Sequence, residues 1–301
     1  MVELRAGGQA YTLGIRPWLM GIVNATTDSF SDAGLHPSVE SQFALARKLL
    51  ADGADVIDIG GESGRTNLPP VGAEEEIERV VPLIERVAGE LGAIVSVDTY
   101  KSAVAAAALA AGAVIVNDVS GLRDPELAAV CARGDAALVV MHTSAAPKRR
   151  LADPELYDDV LEEVVGFLAE RIAVAGAQGL ATESLIVDPG PDFTKTPVQT
   201  IELLRGGARL HEFGRPVLMA LSRKDFIGAL TGRSPRERGA GTLAAVAYGL
   251  DIGAQIFRVH DVAAVADFVA VRQALRGEIE LKRDLALPDE LRSEPPPERV
   301  S

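Results

Sequence analysis

Eight short apolar segments rich in β-branched residues recur along this chain, and each is followed by a longer amphipathic or alanine-rich run. The segments are 18–24, 56–60, 94–98, 114–117, 137–142, 185–188, 217–221 and 256–260. Helical patterning covers 38–51, 73–90, 101–111, 125–133, 154–175, 198–211, 236–252 and 262–275. Nearly continuous apolar strands separated by helices imply a parallel sheet covered on both faces. Eight such units in 301 residues fit a closed (β/α)8 TIM barrel of the α/β class. An open doubly wound sheet is the alternative, and it would usually carry a Gly-x-Gly-x-x-Gly turn after its first strand. Here that turn reads Asn24-Ala25-Thr26-Thr27-Asp28, so no dinucleotide site is expected.

The flanks of the alternating region read differently. Gly7-Gly8 separates Val2-Glu3-Leu4-Arg5 from Ala10-Tyr11-Thr12-Leu13, the pattern of a β-hairpin, expected here as a lid on one end of the barrel. Residues 1–277 are expected to form a single barrel domain. Residues 278–301, charged and ending in Glu294-Pro295-Pro296-Pro297-Glu298, are expected to be a tail unable to bury a core of its own.

Composition narrows the function classes. A net charge of −13 disfavours nucleic acid and anionic membranes as partners, while leaving room for a local cationic pocket gathered by the fold. No apolar run reaches the roughly 18 to 20 residues that span a bilayer. Met1-Val2-Glu3-Leu4-Arg5 has no secretory pattern, and a single cysteine, Cys131, allows no internal disulfide. These features fit a cytoplasmic chain.

In a barrel of this type the active site lies where the strands end and the following loops meet. Those ends are polar throughout: Asn24, Glu62-Ser63, Asp98, Asn117-Asp118, His142, Asp188, Ser222-Arg223-Lys224, and Arg258 with His260-Asp261. Taken singly, Asp98 or Asp188 could cap a helix or turn, and His142 or His260 could be a packed core histidine, which is the commoner use of such residues. Eight separate caps explain the pattern less well than one convergent rim. Asp98, Asn117 and Asp188 suit the donor and acceptor edge of a flat aminopyrimidinone. Arg65, Lys224, Arg258, His260 and Asn24 suit a phosphate or pyrophosphate, with Asn24 an oxygen ligand for Mg²⁺.

Met20-Gly21-Ile22-Val23-Asn24, Asp28-Ser29-Phe30-Ser31-Asp32, Asp58-Ile59-Gly60-Gly61-Glu62-Ser63, Ser96-Val97-Asp98-Thr99-Tyr100-Lys101, Asn117-Asp118-Val119-Ser120-Gly121, Met141-His142, Asp188-Pro189-Gly190, Ser222-Arg223-Lys224 and Arg258-Val259-His260-Asp261 follow one another in order. In this combination the chain resembles the pterin-binding family, and within it the members that form 7,8-dihydropteroate, from about Trp18 to Leu275. The resemblance implies a transferase that condenses 6-hydroxymethyl-7,8-dihydropterin pyrophosphate with p-aminobenzoate and releases pyrophosphate. It implies that Asp98, Asn117, Asp188 and Lys224 hold the pterin, with Met141 and Phe193 around it. Asn24 would help bind Mg²⁺, and Arg258 with His260 would hold the pyrophosphate. Arg65 would contact the leaving group or the p-aminobenzoate carboxylate, and Asp28, Ser63, Gly64 and Ser222 would make further substrate contacts. The family is commonly dimeric, which implies a homodimer, and its first two loops, here 25–37 and 62–72, would close over the reaction.

Several positions depart from the family pattern. Ser63-Gly64-Arg65-Thr66-Asn67 replaces Ser-Thr-Arg-Pro-Gly, and Thr27 stands where proline is usual. Asp192 and Thr194 flank Phe193 where glycines are usual, Ala220 also replaces a glycine, and Thr143-Ser144-Ala145 follows His142 in place of Met-Gln-Gly. A carboxylate at Asp192, if it faced the p-aminobenzoate pocket, would repel that substrate by about a kcal/mol or more. The departures leave a second reading open, a pterin-binding relative with weak or no synthase activity. A third, a methyltetrahydrofolate-dependent methyl-transfer domain, would not need the cationic residues at 222–224 and 258–260.

Overall fold

Val56-Ile57-Asp58-Ile59-Gly60 is buried at every position, as a strand covered on both faces must be. The same holds for Ile115–Asp118, Ala137–Met141 and Leu185–Asp188. In the computed structural model, which describes residues 1–14, 16–25, 38–64 and 67–294, these segments belong to one parallel sheet. A hairpin of β1 (Val2–Ala6) and β2 (Gln9–Leu13) precedes it. The sheet strands are β3 (Trp18–Asn24), β4 (Val56–Gly60), β5 (Ile94–Asp98), β6 (Ile115–Asp118), β7 (Ala137–Met141), β8 (Leu185–Asp188), β9 (Leu218–Met219) and β10 (Ile256–Val259). Their order is β8-β7-β6-β5-β4-β3-β10-β9, and a parallel bridge from Val187 to Val217 joins the two ends, which closes the barrel.

The helices between them are α1 (Val39–Ala51), α2 (Ala73–Leu91), α3 (Ser102–Ala110), α4 (Glu126–Arg133), α5 (Val160–Ala177), α6 (Pro197–Arg205), α7 (Asp225–Thr231), α8 (Gly239–Asp251) and α9 (Val262–Leu275). Local chemistry sets several of their starts. The Ser38 side chain accepts a hydrogen bond from the Ser41 amide at 3.2 Å to begin α1, and Thr196 and Gln199 form a reciprocal capping box at α6, with Pro197 at its first turn.

Three helices differ from the sequence expectation, the first being α6, which ends at Arg205 and gives way to a 3-10 segment, Gly207–Phe213, where one run to residue 211 was expected. The run expected from Pro154 becomes helical only at Val160, because Asp159 accepts from the Leu161 and Glu162 amides and fixes the start there. The short helix α7 was not expected. Its seven residues, closed by Gly232 in a left-handed conformation, are too few for a periodic signal.

The hairpin closes the end of the barrel opposite the polar rim. Its two-residue turn, Gly7-Gly8, has φ of 58° and 72°, the backbone that a tight two-residue connection requires. Its inward residues Leu4, Ala6 and Leu13 are buried with Met20, Val56, Ile115, Ala137, Ile186, Leu218 and Ile256 in one apolar cluster. The chain packs as two compact units, Met1–Ala266 and Asp267–Ser301. The second, described to residue 294, holds the end of α9 and a single 3-10 turn at Asp289–Leu291, with Leu285, Leu287 and Leu291 exposed.

Candidate active site

At the C-terminal ends of β4, β5, β6 and β10, four polar side chains meet. Arg258 donates from Nε to Asp58 Oδ2 at 2.6 Å and from Nη2 to Asp98 Oδ2 at 2.8 Å. Asn117 Nδ2 donates to the same Asp58 oxygen at 3.2 Å. Asp58 is fully buried, and its Oδ1 has no hydrogen-bond partner among the described residues. Burial raises Asp98 well above the usual carboxylate range, to about 7. Arg258 opposes that shift, while Asp58, Glu76 and Asp118 add to it. Burial by itself would lower the Arg258 guanidinium, but Asp58 and Asp98 more than offset it and leave it above its ordinary value.

β8 ends in Asp188, which accepts from the Gly190 amide at 2.7 Å and is raised by burial to about 6 despite that bond and the nearby Lys224. Gly190 has φ of 64°, and a β-carbon there would lie 2.2 Å from the His142 carbonyl oxygen, so only glycine fits this turn. The turn brings Phe193 under Lys224, whose Nζ stands 4.4 Å from the ring centroid. Burial lowers Lys224 from the ordinary lysine value, with Asp192 and Asp188 pulling the other way.

The turn containing Lys224 is held from several sides. Thr242 Oγ1 accepts from the Arg223 amide at 3.1 Å, and Arg238 Nη1 donates to the Arg223 and Lys224 carbonyls at 2.8 and 3.1 Å. Ser222 Oγ lies 2.9 Å from His260 Nδ1, and partial desolvation, with Arg223, Arg258 and Lys224 near, lowers His260 to about 4. His260 is therefore a neutral ring at pH 7, although its surface is open to solvent.

Of the residues expected from sequence, Asp98, Asn117, Asp188, Met141, Phe193, Ser222, Lys224, Arg258 and His260 lie at this rim, and Asn24 ends β3 exposed. Asp28 and Arg65 lie outside the described residues. Ser63 and Gly64 follow β4, with the Ser63 carbonyl accepting from Lys148 Nζ. Two groupings differ from expectation. Arg258 engages Asp98, a carboxylate assigned to the heterocycle, so the phosphate and heterocycle subsites adjoin. Glu62 faces Lys101 at 2.6 Å, Tyr100 at 3.1 Å and the Val71 amide at 3.2 Å, which makes it an organiser of its own loop.

Asp192 also differs: its carboxylate bonds the Thr200 hydroxyl and the first amides of α7, turned away from the role of a free repelling charge. Two residues were missed. Asp58 could have been found as a carboxylate in the middle of an apolar strand, since such a charge needs buried partners. Lys195 is buried between His142 Nδ1 at 2.8 Å and the Gly190 and Phe193 carbonyls at 2.9 Å. Burial lowers it to about 7, and burial with the adjacent Lys195 lowers His142 to about 2.

Among the described residues no three His, Cys, Asp or Glu side chains cluster as a metal site, and no helix is long and apolar enough to cross a membrane. The model of the pterin binding enzyme family matches residues 20–260. The dihydropteroate synthase of Streptococcus pyogenes serotype M6 is 42% identical over 260 residues, covering 85% of this chain and 95% of that protein. The solved Xanthomonas albilineans dihydropteroate synthase with 4-aminobenzoic acid superposes with a TM-score of 0.83 at 44% identity, covering 91% of this chain and 98% of that one. The same synthase in complex with 7,8-dihydropteroate gives a TM-score of 0.80 over 90% and 98% of the two chains. The chain therefore belongs to the pterin binding enzyme family, among the dihydropteroate synthases.

Proposed function

We propose that the chain condenses 6-hydroxymethyl-7,8-dihydropterin pyrophosphate with p-aminobenzoate to give 7,8-dihydropteroate and pyrophosphate, a step of folate biosynthesis. The observation that carries this reading is the array of Asp58, Asp98, Asn117 and Arg258 at one barrel end, joined by Asp188 and Lys224. The relatives that superpose on it with 4-aminobenzoic acid and 7,8-dihydropteroate support the two substrates.

On this reading the ring's amino and imino N–H groups meet Asp98 and Asp188, Asn117 pairs the remaining edge, and Lys224 donates to the ring carbonyl. These contacts exclude water from one face of the ring and fix its methylene toward the rim. As the C–O bond to pyrophosphate breaks, the bonding pair leaves with the phosphate oxygen and positive charge grows at the methylene. Carboxylates along the ring edge stabilise that charge, while Arg258 and the neutral His260 donate to the departing oxygens. The p-aminobenzoate nitrogen then forms the new C–N bond with its lone pair and gives one of its two protons to water or to the released pyrophosphate. No nucleophile on the protein is needed.

Mg²⁺ fits the donor set only as an ion carried largely by phosphate oxygens, since Asn24 offers a single carboxamide oxygen and Mg²⁺ commonly takes one or two protein ligands beside phosphates. When bound it would neutralise leaving-group charge. Arg65 and Asp28 are assigned to the substrates through the resemblance, as are Ser63 and Gly64. A homodimer and a cytoplasmic location are proposed on the same ground, and no nucleic acid or membrane partner is assigned.

The test is release of pyrophosphate by the purified chain. Release should require both substrates and fall at least about tenfold in Lys224→Ala, the scale for loss of one charged hydrogen bond to the ring. Tight pterin binding without release in the wild type would instead favour the pterin-binding relative.

A further inference from the structure

The turn joining β8 to α6 has two non-glycine residues in the left-handed region, Asp192 at φ 63° and Thr194 at φ 53°. Glycine adopts that backbone without strain, and other residues keep it only where their surroundings hold them. At Asp192 the hold is its own carboxylate. Thr200 Oγ1 accepts from the Asp192 amide at 3.1 Å and donates to Asp192 Oδ1 at 3.0 Å. The second oxygen, Oδ2, crosses to another element and accepts from the amides of Asp225 and Phe226, the latter at 3.3 Å.

Those amides begin α7, whose N-cap residue is Lys224, and the Lys224 side chain makes no capping bond of its own. Asp192 thus supplies from a different loop the acceptor that a helix start needs. Its neighbour Phe193 lies under the Lys224 ammonium. One two-residue step, Asp192-Phe193, therefore fixes the backbone that carries Lys224 and forms the surface on which its Nζ rests. Arg238 grips the Arg223 and Lys224 carbonyls from the other side. Between the two, the Lys224 backbone is restrained at both its carbonyl and the amides that follow.

We propose that Asp192 is a positioning residue for the pterin site, aiming Lys224 through the start of α7, and is not an obstacle to p-aminobenzoate. This rests on the reading above in which Lys224 meets the pterin. A carboxylate with Oδ1 on Thr200 and Oδ2 on two amides has both oxygens engaged by local donors, so its reach toward a second substrate is short.

Two variants of the full chain separate this role from a merely structural one. Asp192→Gly suits the backbone angle and deletes the acceptor. Asp192→Asn tolerates the same angle and keeps an amide oxygen facing the α7 amides. The readouts are the calorimetric Kd for the pterin pyrophosphate and the KM of each substrate. Asp192→Gly should weaken the pterin pyrophosphate about tenfold, the scale of a lost cap, and leave the KM for p-aminobenzoate within about twofold. Asp192→Asn should restore the pterin Kd to within about threefold of wild type.

Wild-type pterin affinity in Asp192→Gly would overturn the proposal, as would a fall in the p-aminobenzoate KM alone. So would equal losses in both variants, which would mark the charge itself rather than the cap. The Kd requires no turnover. A wild type that binds pterin without forming product would therefore refute the proposed reaction while the variants still decided this point.

Discussion

A carboxylate buried beside other carboxylates resists ionisation, and Asp98 is such a group. Burial is the larger cause of its rise to about 7, and Asp58, Glu76 and Asp118 add to it. The pterin ring presents N–H donors, which favour the ionised form. Affinity should therefore increase as pH rises through about 7 and fall below it by up to about tenfold per pH unit. Calorimetry between about pH 6.5 and 8.5 checks the slope, and Asp98→Asn should bind weakly and lose the dependence around pH 7, keeping only the step near 6 that Asp188 supplies. A flat wild-type profile would remove Asp98 as the titrating acceptor. The identity of this residue was legible because it ends an apolar strand with a carboxylate. Its partner Asp58 was not picked out, because a polar residue inside a strand declares its role only when β6 and β10 bring Asn117 and Arg258 to it. The direction of Asp192 was equally hidden, since its partners lie on α6 and α7, eight and more than thirty residues away.

At the scale of elements, the order of strands and helices was plain because fully buried strands and amphipathic helices differ in period. The hairpin was plain too, from Gly7-Gly8. What escaped was set by caps and by length: the late start of α5 at Asp159, the seven residues of α7, and β9, where only Leu218–Met219 pair as a strand. The hairpin gives an element-scale prediction. Leu4 is fully buried with the inward residues of the barrel's N-terminal end, so Leu4→Ala should cost about 2 to 5 kcal/mol of stability by cavity formation. Barrel chemistry sits at the other end, so the pterin Kd should stay within about twofold at temperatures where the variant remains folded. Chemical denaturation and calorimetry on the same preparation test both halves. A large change in Kd with little loss of stability would contradict this division between a stabilising end and a reactive one.

For the molecule as a whole, the charge distribution separates what it repels from what it collects. The net charge is −13, yet Arg258 and Lys224 stand at one barrel end among Asp58, Asp98 and Asp188, with Lys195 buried close by. A chain-wide negative field disfavours polyanions such as nucleic acid, while a small buried set of cations can still accept a pyrophosphate whose position the fold fixes. The same enclosure supplies acceptors for a heterocycle carrying amino groups, so one end of the barrel can hold both parts of a single substrate. The central claim is that this end joins that substrate to p-aminobenzoate. Its most direct test is chromatographic identification of the product after the purified chain is incubated with 6-hydroxymethyl-7,8-dihydropterin pyrophosphate, p-aminobenzoate and Mg²⁺. The account predicts 7,8-dihydropteroate from the wild type and none from Asp98→Ala; pterin pyrophosphate bound by the wild type with no dihydropteroate formed would contradict it.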